Sequence, residues 1–246
     1  MLGSVVARYL GSAGHAVRTS ETRFSPDDGL LLREIATAQA EVVVNCAAVL
    51  PAKASSPTEM FLVNSLLPQL LAAQLAPSQM LVHASTDGVF TGDNGPYAAD
   101  ARPDAQDAYG LSKRLGELAG PGRILCIRSS IVDAEGGLLA WLRLQQGQVD
   151  GYTNHMWNGV TALEWARACG ELMASPPSSP IAHLTCSEPV SKYELLQAAA
   201  AAFAWPARVE PVCAPTALNR ALVPTHRRAP IRELLLQTAR SCELLR

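Results

Sequence analysis

The sequence predicts an α/β protein built on a doubly wound parallel sheet, with a smaller lobe formed by the C-terminal part of the chain. Strand and helix patterns alternate through about residue 130, which is typical of a parallel sheet with right-handed crossovers. The segment EVVVNC (41–46) is a continuous β-branched run, as in strands that are covered on both faces. After residue 130 the alternation becomes irregular, which indicates a separate mixed lobe.

The composition is that of a globular protein with a large core. Of the 246 residues, 48% are hydrophobic and 17% are charged, and the formal net charge is −2. No basic block stands out, which argues against a nucleic-acid-binding or anionic-membrane surface. No apolar run reaches the length of a membrane span, and the first residues lack the pattern of a secretory signal. We therefore expect a cytoplasmic protein.

Each predicted element of the first part follows from apolar periodicity and from the residues that end it. Apolar residues at helical spacing begin at Leu2, and Gly14 ends that helix. A long segment rich in glycine and aspartate follows the third strand and runs through Asp104. The expected helices are 2–13, 30–40, 60–75 and 108–119, and the expected strands are 15–19, 41–46, 80–84 and 123–128.

The irregular part contains further helical patterns separated by connectors. Helices are expected at 138–144, 163–173 and 191–204, with a short strand at 183–186. We divide the chain into a first domain, residues 1–135, and a C-terminal lobe, residues 136–246, that does not continue the sheet. Return of residues 159–174 to the first domain is an open alternative.

Tyr109 and Lys113 form the sharpest local feature of the sequence. Four residues apart on a predicted helix, the phenol and the ammonium lie on one face. The chain has three lysines against seventeen arginines, so a chance Tyr-x-x-x-Lys match is expected only about 0.06 times. Because a nearby cation favours the phenolate, we expect Lys113 to lower the pKa of Tyr109 and make it a general acid and base. A simple helix-surface pair is the alternative.

Two strand ends supply further candidate residues. The strand MLVHA (80–84) runs into Ser85, Thr86 and Asp87, where a hydroxyl can hold a substrate carbonyl in line with the tyrosine. The preceding strand ends in Asn45 and the small residues CAA (46–48), which let a flat cofactor approach the backbone. Ligands of open α/β sheets bind beyond the carboxyl ends of the strands, so both strand ends are candidate parts of a site.

Taken together, these segments resemble the extended short-chain dehydrogenase/reductases, specifically the dTDP-4-dehydrorhamnose reductase-like branch. The resemblance covers nearly the whole chain, in blocks that are far more specific than a bare Tyr-x-x-x-Lys motif. The blocks are VVVNCAAV (42–49), VNSLLPQLLA (63–72), STDGVFTGDNGPY (85–97), DAYGLSKRLGE (107–117), RSSIV (128–132), GLLAWLRLQQGQVDGYTNHMWNGVTALEWA (137–166) and HLTCSEPVSKYELL (183–196). The resemblance implies a Rossmann-type sheet, with a dinucleotide-binding first domain and a substrate-binding C-terminal lobe.

The resemblance also implies a reaction, the NAD(P)H-dependent reduction of a nucleotide-linked 4-keto-6-deoxysugar. Tyr109 would protonate the keto oxygen, Lys113 would bind the nicotinamide ribose, and Thr86 would hydrogen-bond the reacting oxygen. Coenzyme contacts are expected from Gly3, Arg23, Cys46, Ala47, Ala48, Tyr109, Lys113 and Ser129. Substrate contacts are expected from Thr86, Asp87, Tyr152, Asn154, Trp157, Asn158 and Arg220. A homodimer is left open as the assembly.

Two departures from the family pattern bear on the expected site. Of the glycine-rich turn that cradles the pyrophosphate only Gly3 is present, and the strand before it is missing. Because that strand lies in the middle of the sheet, its neighbours would keep unpaired backbone groups, at about 1–3 kcal/mol for each buried one. We therefore expect a native start upstream of Met1, and a given chain that binds NAD(P)H weakly and aggregates through strand edges. Gly88, where many relatives carry tyrosine, is expected to leave room for substrate.

The coenzyme preference and the function class each keep an alternative. Arg23, shortly after the expected strand 15–19, favours NADP over NAD, although Glu21 argues for NAD. A non-catalytic nucleotide-binding protein, similar to a regulatory subunit of methionine adenosyltransferase, is the main alternative to a reductase. An epimerase or dehydratase is a third interpretation, since such enzymes need an acidic residue where Asp87 follows Thr86. The six cysteines and five histidines are dispersed, so we expect no metal site.

Overall fold

The described part of the chain, residues 1–117 and 123–243 of this computed structural model, contains a parallel central sheet, helices and several smaller sheets. The helices are α1 (Leu2–Ser12), α2 (Leu30–Ala38), α3 (Pro57–Phe61), α4 (Leu67–Gln74), α5 (Ala108–Gly116), α6 (Gly137–Arg143), α7 (Ala162–Ala174), α8 (Lys192–Ala202) and α9 (Ile231–Glu243). The strands are β1 (Val42–Asn45), β2 (Met80–Ser85), β3 (Arg123–Arg128), β4 (Ile131–Val132), β5 (Gln148–Tyr152), β6 (His155–Trp157), β7 (Val160–Thr161), β8 (Ile181–Thr185), β9 (Val190–Ser191), β10 (Arg208–Val212), β11 (Leu218–Asn219) and β12 (His226–Arg227). A π-helical turn, Leu62–Leu66, joins α3 to α4, and 3₁₀ turns lie at Pro51–Lys53 and Asp87–Val89.

Five parallel strands form the central sheet, in the spatial order β1, β2, β3, β8 and β12. Its middle strands carry almost fully buried apolar side chains, among them Val82, Leu125 and Ile127. These side chains join one core cluster with Leu10 of α1 and Trp165 of α7. The predicted α/β fold with a parallel central sheet is therefore confirmed.

The central sheet continues into the C-terminal part of the chain. β8 pairs with β3, and β12 pairs with β8, so the expectation that this part does not continue the sheet is wrong. The sequence gives little indication of these two strands, because β12 is only two residues long and buried His183 interrupts the apolar run of β8. Helix α7 packs against α1, where a Cβ on Gly170 would lie 3.3 Å from Leu10 Cδ2. The domain boundary at residue 135 is kept as a proposal.

Small sheets build the rest of the C-terminal part. β5 pairs with β10, β6 lies between β11 and β9, and β4 pairs with β7. The segment GYTNHMWNGV, which links two helices in the sequence pattern, thus contains the end of β5 and all of β6. Among the described residues no helix combines the length and the hydropathy that a bilayer crossing needs.

Residues 15–19 form no strand, so the expectation of a strand there is wrong. β1 pairs with β2 along one edge, and within the described ranges no strand pairs with its other edge. A strand at residues 15–19 would need a ladder partner, because local β propensity alone does not hold a strand in water. The side chains of Val42, Val43 and Val44 are accordingly half-buried rather than covered on both faces.

Gly116 allows α5 to approach the π-helical turn closely. A Cβ at this position would clash with the main-chain oxygen of Asn64 and would lie 3.2 Å from Pro68 Cγ. We expect Gly116→Ala to lower the free energy of unfolding by about 1–3 kcal/mol, because the neighbouring backbone must move. Urea unfolding followed by circular dichroism measures the change.

Gly11→Ala in α1 is the matched control, since a Cβ there meets nothing within 4 Å. It should raise the free energy of unfolding by about 0.5–1 kcal/mol through helix propensity alone. Equal effects of the two substitutions would contradict the close packing of α5.

Candidate active site

Tyr109 lies in the first turn of α5, at the carboxyl end of β2. Asp107 caps this helix by accepting a hydrogen bond from the Gly110 N–H at 2.9 Å. A Cβ on Gly88 would lie 3.2 Å from Tyr109 Cε1 and 3.3 Å from Thr86 Oγ1. The phenol and the threonine hydroxyl therefore meet over Gly88. A Cβ at these distances would be tightly packed, so Gly88 permits the close approach of the two side chains. That Gly88 also leaves room for substrate stays a prediction.

Thr86 is held at the end of β2 by two hydrogen bonds. Its Oγ1 accepts a bond from the Gly88 N–H at 3.0 Å and donates one to Asp87 Oδ1 at 3.1 Å. Burial raises the pKa of Asp87, while the positive charges of Lys192 and Arg220 act in the opposite direction. An incoming oxygen acceptor would compete with Asp87 for the Thr86 proton.

The pKa of Tyr109 is raised to about 12, chiefly by burial, with the Thr86 hydroxyl acting in the opposite direction. The expectation that Lys113 lowers this pKa is wrong, because the ammonium is turned toward the sheet. Lys113 Nζ donates a hydrogen bond to the Ala84 carbonyl at 2.7 Å. The phenol therefore keeps its proton at neutral pH and is suited to act as a proton donor.

Lys113 is a buried cation with a single strong protein acceptor among the described residues. Only 2% of the residue is exposed, and Nζ lies 3.4 Å from His83 Nε2. Burial lowers the pKa of Lys113 to about 8, against the opposing charge of Glu117. An ammonium has three N–H donors and accepts no hydrogen bond, so Lys113 has N–H groups left to donate to a ligand oxygen.

A buried ion pair holds the C-terminal end of α5 to the sheet. Arg128 donates from Nε and Nη2 to the two carboxylate oxygens of Glu117, each at 2.8 Å. The Ser85 hydroxyl donates to the same carboxylate. The helix that carries Tyr109 and Lys113 is thereby fixed against β2 and β3. Sequence reasoning missed this pair, although an arginine at the end of an apolar strand was a usable signal.

The carboxyl end of β1 lies against the first turn of α1. A Cβ on Gly3 would lie 3.5 Å from Cys46 Cβ. The Ala47 N–H donates to Asn45 Oδ1 at 3.1 Å, and Ala48 is exposed beside it. The first turn of α1 has no side-chain cap and no acidic residue. Four expected coenzyme-contact residues, Gly3, Cys46, Ala47 and Ala48, are thus brought together.

Two other residues expected to contact the coenzyme, Ser129 and Arg23, are not part of this cluster. Ser129 is buried, and its hydroxyl donates to the Ser130 carbonyl at 3.2 Å. Arg23 is exposed, and its charge is one of the smaller contributions that lower the pKa of Glu59, after two hydrogen bonds from Ser55. Among the described residues, no side-chain hydrogen bond joins Ser129 or Arg23 to Lys113.

Asn154 and Asn158 clasp the C-terminal part of the chain to β6. Asn154 donates to the Ala214 carbonyl at 2.8 Å and accepts from the Ala214 N–H at 2.9 Å. Asn158 makes the same pair of bonds to Leu222, at 2.8 Å and 2.9 Å. Both carboxamides are used on the main chain, so they position the segment 214–222. Their direct contact with substrate stays a prediction.

The remaining expected substrate residues are spread over the C-terminal part. Tyr152 is exposed, whereas Trp157 is only 1% exposed and has Lys192 Nζ 5.1 Å from its ring centroid. Lys192 and Arg220 both act on the pKa of Asp87, which brings two positive charges toward the Thr86 end of the site. Sequence reasoning missed Lys192, because a lysine in the first turn of a helix is ordinarily a surface residue.

A parallel sheet with a buried Tyr-x-x-x-Lys helix, and a threonine at the end of the adjacent strand, defines a Rossmann-type reductase fold. The chain belongs to the family described as RmlD substrate binding domain, whose model matches residues 1–138. This match confirms the resemblance found in the sequence.

Two curated relatives match parts of the chain. A probable dTDP-4,6-dihydroxy-2-methyloxan-3-one 4-ketoreductase of Streptomyces antibioticus is 45% identical over 83 residues, 32% of this chain and 28% of that protein. The probable low-salt glycan biosynthesis reductase Agl14 of Haloferax volcanii is 33% identical over 135 residues, 48% of this chain and 45% of that protein. The chain thus spans less than half of the length of either relative.

Among solved structures, the dTDP-4-dehydrorhamnose reductase of Bacillus anthracis in complex with NADP has a similar fold. The TM-score is 0.79 at 15% sequence identity, and the alignment covers 96% of this chain and 93% of that one. At this identity the likeness establishes the fold alone.

Removing the charge of Glu117 should strongly destabilise the protein. Glu117→Gln leaves the Arg128 guanidinium buried with a neutral partner, which typically costs about 3–5 kcal/mol of unfolding free energy. The side chains of this pair are 6% and 4% exposed, so solvent cannot replace the lost partner. Glu171→Gln is the control, because Glu171 is 61% exposed in its pair with Arg228 and should cost less than about 1 kcal/mol. Similar losses in the two variants would argue against the buried pair.

Lys113 should make stability depend on pH in a defined direction. Its pKa falls from the ordinary 10.5 to about 8 on folding. The destabilisation is therefore complete below pH 8 and is relieved as the pH rises from 8 toward 10.5. After allowance for the lost Ala84 hydrogen bond, we expect Lys113→Met to be about 2 kcal/mol more stable than wild type at pH 7.

Urea unfolding midpoints of both proteins between pH 7 and 10 measure this difference, which should shrink as the pH rises. Lys53→Met, at an exposed lysine, controls for the loss of one positive charge. A difference that grows with pH would contradict the lowered pKa.

Proposed function

We propose that the protein is a nicotinamide-coenzyme-dependent reductase that acts on a nucleotide-linked 4-keto-6-deoxysugar. The observation that carries the proposal is the protonated phenol of Tyr109 beside the Thr86 hydroxyl at the end of β2. A phenol with a pKa of about 12 retains its proton until a carbonyl oxygen becomes basic enough to take it. The family match and the names of the relatives, a 4-ketoreductase among them, support a keto-sugar substrate.

Three side chains have separate roles in the proposed reaction: two act on the keto oxygen and one binds the coenzyme. The coenzyme, when bound, supplies a hydride to the keto carbon. Tyr109 donates its proton to the developing alkoxide, and Thr86 turns its hydroxyl from Asp87 to give that oxygen a second hydrogen bond. Lys113, whose ammonium has donors to spare, binds ribose hydroxyls of the coenzyme next to Tyr109. Fixing α5 by the Glu117 ion pair keeps these groups in one geometry.

The residues present fit the nicotinamide half of the coenzyme. Lys113 donates to the Ala84 carbonyl and has further buried N–H donors for a ligand. Cys46, which acts on the pKa of Lys113, lies against Gly3, so the backbone of α1 and the end of β1 meet near the amine. NADP is the preferred coenzyme in this proposal, in line with Arg23 and with the NADP complex of the structurally similar Bacillus anthracis reductase. Lys192 and Arg220 are proposed to attract the diphosphate of the sugar nucleotide toward the Thr86 end.

A non-catalytic nucleotide-binding role is the second candidate, and one observation favours it. Within the described ranges β1 has an open edge, and residues 15–19 form no strand beside it. A binder of this kind would hold a nucleotide without turnover, whereas the reductase oxidises NADPH only when a keto sugar is present.

Tyr109→Phe should lower turnover about 10²–10⁴-fold, because the variant lacks the proton donor while keeping the ring. NADPH oxidation with dTDP-4-dehydro-6-deoxyglucose, followed by nicotinamide absorbance, measures turnover. NADPH binding by the variant, measured by calorimetry, should stay within about threefold of wild type, since the lost hydroxyl is not the main coenzyme contact.

Tyr193→Phe on α8 is the matched control, because within the described ranges its hydroxyl makes one hydrogen bond, accepted from Gln197. It should leave turnover unchanged. Unchanged turnover in Tyr109→Phe would remove Tyr109 from its role. A wild-type chain that binds NADPH but oxidises it with none of the nucleotide-linked keto sugars would favour the non-catalytic candidate.

A further inference from the structure

His83 is a fully buried histidine on β2 that the proposed chemistry does not use. Asn45 lies on one side of its ring, with Nδ2 3.2 Å from His83 Nδ1. The orientation of the Asn45 carboxamide is set independently, because its Oδ1 accepts the Ala47 N–H at 3.1 Å. The amide nitrogen must therefore face the ring. His83 Nδ1 is the acceptor in this contact, and the proton of the neutral imidazole sits on Nε2.

The protonated Nε2 of His83 faces the amine of Lys113. The two nitrogen atoms are 3.4 Å apart, and both are donors when Lys113 is an ammonium. When Lys113 is a neutral amine, its lone pair accepts the Nε2–H instead. The Ala84 carbonyl accepts from Nζ at 2.7 Å in either state. The imidazole thus stabilises the neutral amine relative to the ammonium.

We infer that Asn45 and His83 are positioning residues for Lys113: by fixing the Nε2–H tautomer they place a donor against Nζ and favour its neutral amine over its ammonium. The inference deepens the role given to Lys113 under the proposed function. In the ammonium form, two N–H donors remain besides the one bonded to Ala84, and His83 Nε2–H cannot accept a hydrogen bond from them. A ligand hydroxyl supplies the missing acceptor. Proton uptake by Lys113 then accompanies the arrival of that hydroxyl.

The charges around Lys113 are consistent with this assignment. Burial lowers the pKa of Lys113 to about 8, while Glu117 on its own helix, Cys126 on β3 and Cys46 after β1 act in the opposite direction. Burial also lowers the pKa of His83 well below its ordinary value, and the charge of Lys113 adds to that effect. The imidazole is therefore neutral across the range in which Lys113 titrates.

Nuclear magnetic resonance of the intact chain tests the inference without requiring turnover. The chain contains three lysines, so ¹³Cε-lysine labelling gives three titration curves, assigned with Lys53→Arg and Lys192→Arg. Long-range ¹⁵N–¹H correlation of the histidine rings reports the tautomer of His83, assigned by its loss in His83→Gln. In the wild type we expect the Nε2–H tautomer and a Lys113 titration near pH 8.

Two substitutions replace the hydrogen-bond donor that faces Lys113 with an acceptor, each in a different way. In Asn45→Asp the carboxylate accepts from both the Ala47 N–H and Nδ1–H, which moves the ring proton to Nδ1 and turns Nε2 into an acceptor. His83→Gln introduces no charge and can turn a carboxamide oxygen to the ammonium. Each should raise the pKa of Lys113, by about 1–3 for Asn45→Asp and by about 1 for His83→Gln.

His183→Gln is the matched control, because His183 is also fully buried in the sheet but contacts Arg128 rather than Lys113. It should leave the Lys113 titration unchanged, and thermal melts verify that every variant is folded. An Nδ1–H tautomer in the wild type would overturn the inference, as would a Lys113 titration that His83→Gln leaves in place. Failure of NADPH oxidation in the wild type, with these shifts intact, would count against the proposed function alone.

Discussion

The attachment of α5 to the central sheet is the constraint on which the candidate site depends. Two buried charges on this helix, Lys113 and Glu117, reach strands β2 and β3 through the Ala84 carbonyl and Arg128. Buried charges are tolerated only where their hydrogen bonds are made, so a helix shifted by one residue would leave both uncompensated. The register of α5, and with it the position of Tyr109, follows from this requirement.

The same burial moves two neighbouring groups in opposite directions. Burial raises the pKa of the phenol of Tyr109 to about 12 and lowers the pKa of the amine of Lys113 to about 8, because it disfavours whichever form is charged. The phenol therefore holds its proton at neutral pH, while the amine can gain or lose a proton near neutral pH. A site that separates these two roles suits a reaction in which an oxygen gains a proton.

Local patterns in the sequence were sufficient for the elements that carry their own signal. Apolar periodicity and continuous β-branched runs predicted α5, α7 and β3, the last with the same bounds as the structure. The prediction of a strand at residues 15–19 was wrong because a strand forms only beside a pairing partner, and local sequence does not show whether one is present. β12 was missed because two residues carry no period.

The candidate site divides in the same way. Tyr109 and Thr86 could be predicted because a helix face and a strand end follow from sequence spacing. The direction of Lys113 and the role of His83 could not be predicted, because the contacts of a buried polar side chain depend on partners from other elements. We expected a lowered pKa for Tyr109 because Lys113 is close to it in sequence. The Lys113 amine instead donates its hydrogen bond to the Ala84 carbonyl of β2.

The clasps made by Asn154 and Asn158 have a consequence for how the family can diverge. Each carboxamide recognises the N–H and carbonyl of one residue, Ala214 or Leu222, and both groups are present whatever the side chain. The clasps therefore place no demand on the exposed side chains of residues 215–217, whereas Asn219 and Arg220 make side-chain hydrogen bonds of their own and Ala221 is buried. Mutations at 215–217 can change the chemistry of this surface while the two carboxamides hold the backbone on its path.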